Sequence, residues 1–286
     1  MELRRLNGAF GAEVRGVDIA SGLDDHTFAE LSAALYENRV VCIRDQHLSK
    51  AQYLAFGRRW GAPIPHVLDH MRMPGFPELL AVGNTEAKDQ DVKIRNGAAL
   101  WHTDQSYEEV PASATMLLSI RAPREGGETQ FCDMAAAYAS LSESMKQSVA
   151  GLEVAHKYGR GKLRADDLAV NPIINDDQDA RVPAIYHPLV MRHPVAGTPA
   201  LYALGHGAHG IKGMPEVEAD SLLETLKQHA LSEVNVYRHR YEVGDLVIWD
   251  TLATMHRATP IDVVSSEDNA RLLWRISVRG RPDFLP

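Results

Sequence analysis

The sequence predicts a mainly β protein with flanking helices, two antiparallel sheets folded as a jelly roll. Three observations predict it. Apolar runs at 40–44, 112–121, 235–249 and 270–278 have strand character and are set apart by glycine-bearing turns. Segments at 24–38, 49–60 and 216–230 carry apolar residues at helical spacing. The chain has 286 residues, 45% of them hydrophobic and 24% charged, which suits a single domain spanning 1–286 with insertions.

Residues 2–20 alternate short apolar runs with turn dipeptides, Asn7-Gly8 and Arg15-Gly16, and so predict an opening pair of strands. Asp24 and Asp25 are placed to cap a helix reaching about Asn38, with Phe28, Leu31 and Leu35 on one stripe. A buried strand follows at 40–44. Ser49 caps the next helix, on which Tyr53, Phe56 and Trp60 form a core stripe. From 62 to 99 the pattern weakens. Prolines at 63, 65, 74 and 77 interrupt it, and polar residues dominate 84–96. The expectation there is a long loop acting as a pocket lid, with His66 and His70 as candidates to touch a substrate.

The run 112–121 is a strand with Met116, Leu118 and Ile120 on one face. Pro123 to Gly127 form a turn, and Thr129 starts the next short strand. Asp133 leads into a helix expected to continue to about Ala150. The polar stretch 158–184 is expected to be an insertion and the second pocket loop. Strands are expected at 186–193 and 201–204. The loop Gly205-His206-Gly207-Ala208-His209-Gly210 lacks the Lys-Ser/Thr of a phosphate-cradling loop. His206 and His209 are left as a second metal site, pocket lining or solvent-facing groups. The helix 216–230 carries Leu222, Leu223 and Leu226, and the chain then returns to strands that turn at 243–245.

The net charge of −8 and the lack of any basic tail argue against nucleic-acid binding by bulk electrostatics. Two cysteines, Cys42 and Cys132, make no disulfide framework, and Cys42 sits in a core-like run. No signal-like segment opens the chain, and no apolar run approaches the roughly 18 residues of a membrane span. A cytoplasmic location, away from membranes, is the expectation.

The chemistry concentrates in two stretches, Trp101-His102-Thr103-Asp104 and the run from Trp249 through Asp250 to His256. On a strand, residues i and i+2 share a face, so His102 and Asp104 can meet one cation. His256 is the best third ligand. Two histidines and a carboxylate leave coordination positions open, as in non-haem Fe(II) oxygenases, although zinc fits the same donors. Asp250 either orients a ligand or shapes a turn. Farther on, Arg271 and Arg275 lie four apart on a strand-like segment, with both guanidiniums expected on one face. Buried arginines need anionic partners, so the pair implies two anionic ligands or one doubly charged ligand. The bland reading of Arg275 is a salt bridge to a nearby acid, such as Asp262 or Glu267.

These features, with Gly11 to Asp18, Phe56 to Gly61, Gly126 to Phe131 and Gly244 to His256, run nearly end to end in an order and spacing that resembles one family. It is the TauD/TfdA family of Fe(II)- and 2-oxoglutarate-dependent dioxygenases, related to taurine dioxygenase and the phenoxyacetate-herbicide dioxygenase. The resemblance implies the double-stranded β-helix form of the jelly roll. It implies Fe(II), 2-oxoglutarate and O2 as cofactors, with His102, Asp104 and His256 as metal ligands. It implies that Arg271 and Thr129 hold the far carboxylate of 2-oxoglutarate, with Trp249 packed beside it. It further implies that Arg275 binds the acidic group of the substrate and that the protein is a homo-oligomer, a dimer or tetramer. The expected reaction hydroxylates a C–H of a small anionic substrate and releases succinate and CO2. The substrate is expected to be a carboxylate, in the aryloxyalkanoate direction, with a sulfonate or sulfate ester as the alternative. A non-enzymatic jelly-roll binding protein is the alternative of another class.

Overall fold

The computed structural model describes residues 1–6, 8–158 and 174–285. In chain order it opens with β1 (Glu2–Arg5), β2 (Ala12–Arg15), α1 (Asp25–Asn38), β3 (Val40–Ile43) and α2 (Lys50–Trp60). Next come β4 (Ala62–Pro63), β5 (Arg72–Met73), β6 (Phe76–Gly83) and the short α3 (Val92–Arg95). The middle holds β7 (Ala114–Arg121), β8 (Thr129–Asp133), α4 (Met134–Ala139), α5 (Glu143–Val149), β9 (Glu153–His156) and α6 (Asp176–Arg181). Then follow β10 (Ile185–Pro188), β11 (Val190–Arg192), β12 (Pro199–Leu201), β13 (Ala208–Ile211) and α7 (Glu216–Ala230). The chain ends with β14 (Val236–His239), β15 (Leu246–Asp250), β16 (Thr254–Ala258) and β17 (Leu272–Arg279).

A large sheet runs in the order β1-β2-β3-β15-β7-β17-β6-β5, with β4 paired to β17. A smaller sheet, β14-β8-β16, faces it. Small sheets β10-β9-β13 and β11-β12 lie beyond it. This is the jelly-roll arrangement expected from the sequence, except that the large sheet is mixed, since β2 joins β3 in parallel. The strands of the large sheet show why they read as continuous apolar runs. Val41, Ile43, Met116, Leu118, Ile248 and Ile276 pack outward against Phe28, Leu31 and Leu35 of α1 and Tyr53, Phe56 and Trp60 of α2. Their neighbours Val40, Cys42, Leu117, Val247, Trp249 and Leu273 point inward to Phe131, Tyr237 and Tyr241. Alternate residues serve different cores, so both faces must be apolar. The helix starts are as read. The Asp24 carboxylate accepts from Thr27 N at 2.7 Å, and Ser49 and Gln52 form a capping box. A third cluster covers the outside of the smaller sheet with α4 and α7, including Leu223 and Leu226.

Several expectations need correction. The segment 62–99 is not one long loop, because β6 crosses it and pairs with β17 inside the large sheet. Pro77 misled the reading. It sits at the start of β6, outside the register 80–83 that β17 reads, where no amide is required. The helix after Asp133 does not run to Ala150. Ser142 accepts from Met145 N at 3.2 Å and restarts the chain as α5, since a serine can cap as readily as continue. The expected strand 186–193 breaks at Leu189, whose amide bonds Leu152 while its carbonyl takes Tyr202 N, so the chain changes sheet there. The strand expected at 201–204 stops at Leu201, and Ala203 has φ +49°. Asn7 of the expected opening turn and residues 159–173 of the expected insertion lie outside the described residues. Within 174–184, Asn175 caps α6, and the acidic cluster fills its first turn. Among the described residues no helix is long and apolar enough to cross a membrane.

Candidate active site

His102 is not on a regular strand, as its spacing had suggested. It forms a single antiparallel bridge to His256 on the edge of β16 opposite β8. Reciprocal amide–carbonyl bonds of 2.9 Å lock the two residues together. Asp104 follows in a turn. The result is nonetheless the expected cluster. His102, Asp104 and His256 offer ligand atoms that all lie within 4.8 Å of one another. His102 Nε2 is 3.8 Å and His256 Nε2 3.6 Å from the Asp104 carboxylate.

The tautomer of His102 is fixed by its neighbour. Its Nδ1 lies 2.7 Å from the Leu100 carbonyl, which can only accept, so Nδ1 carries the proton and Nε2 keeps the lone pair. Burial pushes both histidines below their ordinary value, and the Asp104 charge only partly offsets it. Burial alone would raise the Asp104 carboxyl, but Arg275, His256 and His102 overrule it and hold it at about 2. The Asp104 Oδ2 atom is buried with no hydrogen-bond partner. Two neutral imidazoles and an ionised carboxylate with an unspent oxygen are the donor state a divalent cation needs, so the residues fit Fe(II).

Two cavities flank this triad. One is lined by Thr129, Trp249, His256 and Arg271, the other by His66, His70, Tyr107, Tyr158 and several aliphatic side chains. His102, Asp104 and Arg275 line both. Arg271 is 4% exposed, and its Nε has no hydrogen-bond partner. Burial pushes it below the ordinary arginine value, which Tyr241 and Glu128 only partly offset. It precedes β17, and a register irregularity between Leu272 and Leu273 separates it from the regular strand. Its position is set by Asn84, whose side-chain Oδ1 accepts from Arg271 N at 2.8 Å and whose backbone N donates to the Arg271 carbonyl at 3.1 Å. Gly83 is required at this crossing, since any Cβ there would strike the Arg271 carbonyl.

Arg275 pairs with neither Asp262 nor Glu267. Its Nη2 donates to Asp104 Oδ1 at 2.5 Å and to Ser277 Oγ at 2.9 Å. Trp249 packs 4.7 Å from His256, ring to ring. Asp250 does not reach the triad. Its Oδ1 holds the turn at Leu252 N and pairs with His193 at 3.1 Å, so the turn reading stands. The His193 Nδ1 accepts from Val195 N and Ala196 N, so its Nε2 donates to Asp250. His66 lines the second cavity. Its Nδ1 accepts from Leu68 N at 3.1 Å, and burial, then Arg275, push the ring down to about 3, leaving a neutral Nε2–H donor. His70 stands at the exposed rim of the same cavity, and His206 lines it too. His206 and His209 take part in neither cluster of potential metal ligands among the described residues. The other such cluster, Cys42, His239 and Asp245, is buried, and its carboxylate already takes Arg44 at 2.7 Å and His239 at 3.2 Å.

Asn84 and Tyr241 were missed by the sequence reading. Asn84 lies in a polar stretch that gives no signal. Tyr241 had one, since Tyr237, His239 and Tyr241 alternate with arginines at strand period.

The turn after Asp104 is braced from the small outer sheet. His187 Nε2 is 3.0 Å from the Glu108 carbonyl, and the His156 ring lies 5.5 Å from that of His187. His156 is fully buried, neither ring nitrogen has a hydrogen-bond partner, and burial, then His187 and His209, press it down to about 3. The native ring therefore resists a proton that the unfolded chain accepts below about 6.5. Stability held above that pH is lost as pH falls toward 3, by up to about 1.4 kcal/mol per pH unit from this group. The expected result is a urea midpoint that drops more steeply between pH 7.5 and 5 in the wild type than in His156→Leu. Parallel drops in the two proteins would remove His156 as the cause.

A sequence profile of the family described as "Taurine catabolism dioxygenase TauD, TfdA family" matches residues 2–277. The (S)-phenoxypropionate/alpha-ketoglutarate-dioxygenase of Sphingobium herbicidovorans is 32% identical over 98% of this chain and 96% of its own. The alpha-ketoglutarate-dependent sulfate ester dioxygenase of Pseudomonas putida is 31% identical over 98% of this chain and 90% of its own. The crystal structure of AAD-2 in complex with Mn(II) and N-oxalylglycine superposes with a TM-score of 0.77 at 29% identity, covering 98% of this chain and 97% of that one. With the triad intact, these relations set aside the non-enzymatic binding protein, and the chain belongs to the TauD/TfdA family of dioxygenases dependent on Fe(II), O2 and alpha-ketoglutarate, that is, 2-oxoglutarate.

Proposed function

We propose that this enzyme hydroxylates a C–H bond next to the anionic group of a small, largely apolar carboxylate. The observation that carries the reading is the position of Arg275 with the triad between two cavities, only one of which holds Arg271 and Thr129. Two anionic ligands can then flank one metal. Arg271 and Thr129 grip the far carboxylate of 2-oxoglutarate, with Trp249 as the wall beside it. His102, Asp104 and His256 hold Fe(II), which with 2-oxoglutarate and O2 supplies the oxidising power and yields succinate and CO2. Arg275 and the neutral His66 donate to the substrate anion. Leu68, Met71, Leu80, Val82, Ile94 and Leu100 line the rest of that cavity, with His70 at its rim. An aryloxyalkanoate-like acid matches such walls, and a planar carboxylate matches the guanidinium fork. The relative that acts on sulfate esters keeps that anion as the second reading.

The test is succinate release across carboxylates, sulfonates and sulfate esters, with Fe(II) and ascorbate present. Carboxylates should lead, and stimulation by sulfate esters alone would give the second reading. Arg275→Leu should weaken substrate by roughly 30-fold or more, the loss of a buried charged contact, while 2-oxoglutarate affinity changes little. Arg275→Lys should not restore it, because a point charge cannot copy the planar fork. Succinate formed per substrate consumed should rise in both variants. An unchanged substrate KM and unchanged coupling would leave Arg275 with only its Asp104 contact.

A further inference from the structure

We propose that Tyr241 is a positioning residue for the co-substrate, its phenol orienting the Thr129 hydroxyl toward the far carboxylate of 2-oxoglutarate; this rests on the reading of Thr129 and Arg271 given above. The two hydroxyl oxygens are 2.8 Å apart. Both residues are buried, at 2% exposure for Thr129 and 4% for Tyr241. By geometry alone either oxygen could donate. The ligand decides the direction. A carboxylate can only accept, and Thr129 has one proton to give. If Thr129 donates to the ligand, its oxygen must accept from Tyr241. The chain of donors then runs one way, from phenol to threonine to carboxylate, and each bond polarises the next.

The surroundings suit a phenol that keeps its proton. Burial pushes Tyr241 well above its ordinary value, and Arg271, close enough for each to act on the other, only partly opposes this. Its ring is held edge-on by His239 at 4.7 Å. His239 is itself tied at both nitrogens, to the Tyr237 hydroxyl at 2.8 Å and to Asp245 at 3.2 Å. The donor is therefore braced by a ring that is itself held at both nitrogens. A phenylalanine would keep the packing and lose only the directing proton donor, freeing Thr129 to turn its proton elsewhere.

The experiment is calorimetric titration of ligand into Mn(II)-loaded enzyme without O2, so that nothing turns over. Tyr241→Phe should bind 2-oxoglutarate roughly 3- to 10-fold more weakly than wild type, the size of one neutral hydrogen bond. It should bind 2-oxopentanoate, which has a methyl in place of the far carboxylate, as wild type does. Thr129→Val should weaken 2-oxoglutarate binding, and adding Tyr241→Phe to it should cost nothing further, since both remove one chain of contacts. Equal losses for the two ligands, or losses that add in the double variant, would overturn the proposal and make Tyr241 a packing residue. So would wild-type binding in Tyr241→Phe beside a weakened Thr129→Val. Wild-type 2-oxoglutarate binding in both Thr129→Val and Arg271→Ala would instead bring down the anchor reading itself.

Discussion

Replacing His102, Asp104 or His256 with alanine should abolish iron-dependent turnover and cut metal affinity by on the order of 100-fold or more, beyond what loss of a supporting group causes. The three variants should differ in stability. His102→Ala and His256→Ala keep the backbone bridge that joins them, whose donors and acceptors are main-chain atoms. Each also removes an imidazole, buried for His256 and half-buried for His102, that burial keeps neutral, so no charge pairing is lost. Their melting temperatures should stay close to wild type. Asp104→Ala strips Arg275 of its carboxylate and leaves a buried cation unpaired, a loss of about 3–5 kcal/mol. Asp104→Asn should fold better and still fail to turn over. The measurements are Mn(II) affinity by calorimetry, succinate release, and thermal unfolding of the metal-free proteins. Full turnover by any alanine variant, or by wild type in an iron-free chelated sample, would contradict the triad.

Arg271→Ala should raise the KM for 2-oxoglutarate by about 2–5 kcal/mol of lost binding, that is, from roughly 30-fold to more than 1,000-fold. The same change should not destabilise the ligand-free protein through lost charge pairing. Arg271 forms no ion pair of 4.0 Å or less with an acidic group of the described residues, and burial already pushes it below its ordinary value. Removing a buried cation that lacks a counterion relieves a desolvation cost. Thermal unfolding should therefore separate the roles: the ligand-free midpoint holds, while the increase given by saturating 2-oxoglutarate shrinks sharply. A normal KM in the variant would mean that the anchor lies elsewhere.

The parts legible in the sequence are those governed by local rules. Asp24 and Ser49 cap helices through contacts three residues away, so their types announce them. The strands 114–121 and 246–250 were readable because each buries both faces. The cluster of His102, Asp104 and His256 was partly legible because His102 and Asp104 stand close in sequence. What failed depended on tertiary pairing. Pro77 looked like a loop residue because nothing local tells which part of β6 is paired with β17. Asn84 sets Arg271 across 187 residues of chain, and Tyr241 meets Thr129 across 112. Arg275 was read as a substrate anchor or as salt-bridged to a nearby acid such as Asp262 or Glu267, and the acid it meets is Asp104, 171 residues away.

The bridge between His102 and His256 has a thermodynamic consequence. It joins positions 154 apart (256 − 102), so the ligand cluster exists only after a long loop has closed and has no counterpart in the unfolded chain. Metal and co-substrate binding is then linked to folding by mass action. Each tenfold excess of free ligand over its Kd adds about 1.4 kcal/mol to the native state. On the proposed reading of this cluster as the iron site, iron supply should set how long the protein survives proteolysis as well as how fast it works, because the metal-poor form would open more often.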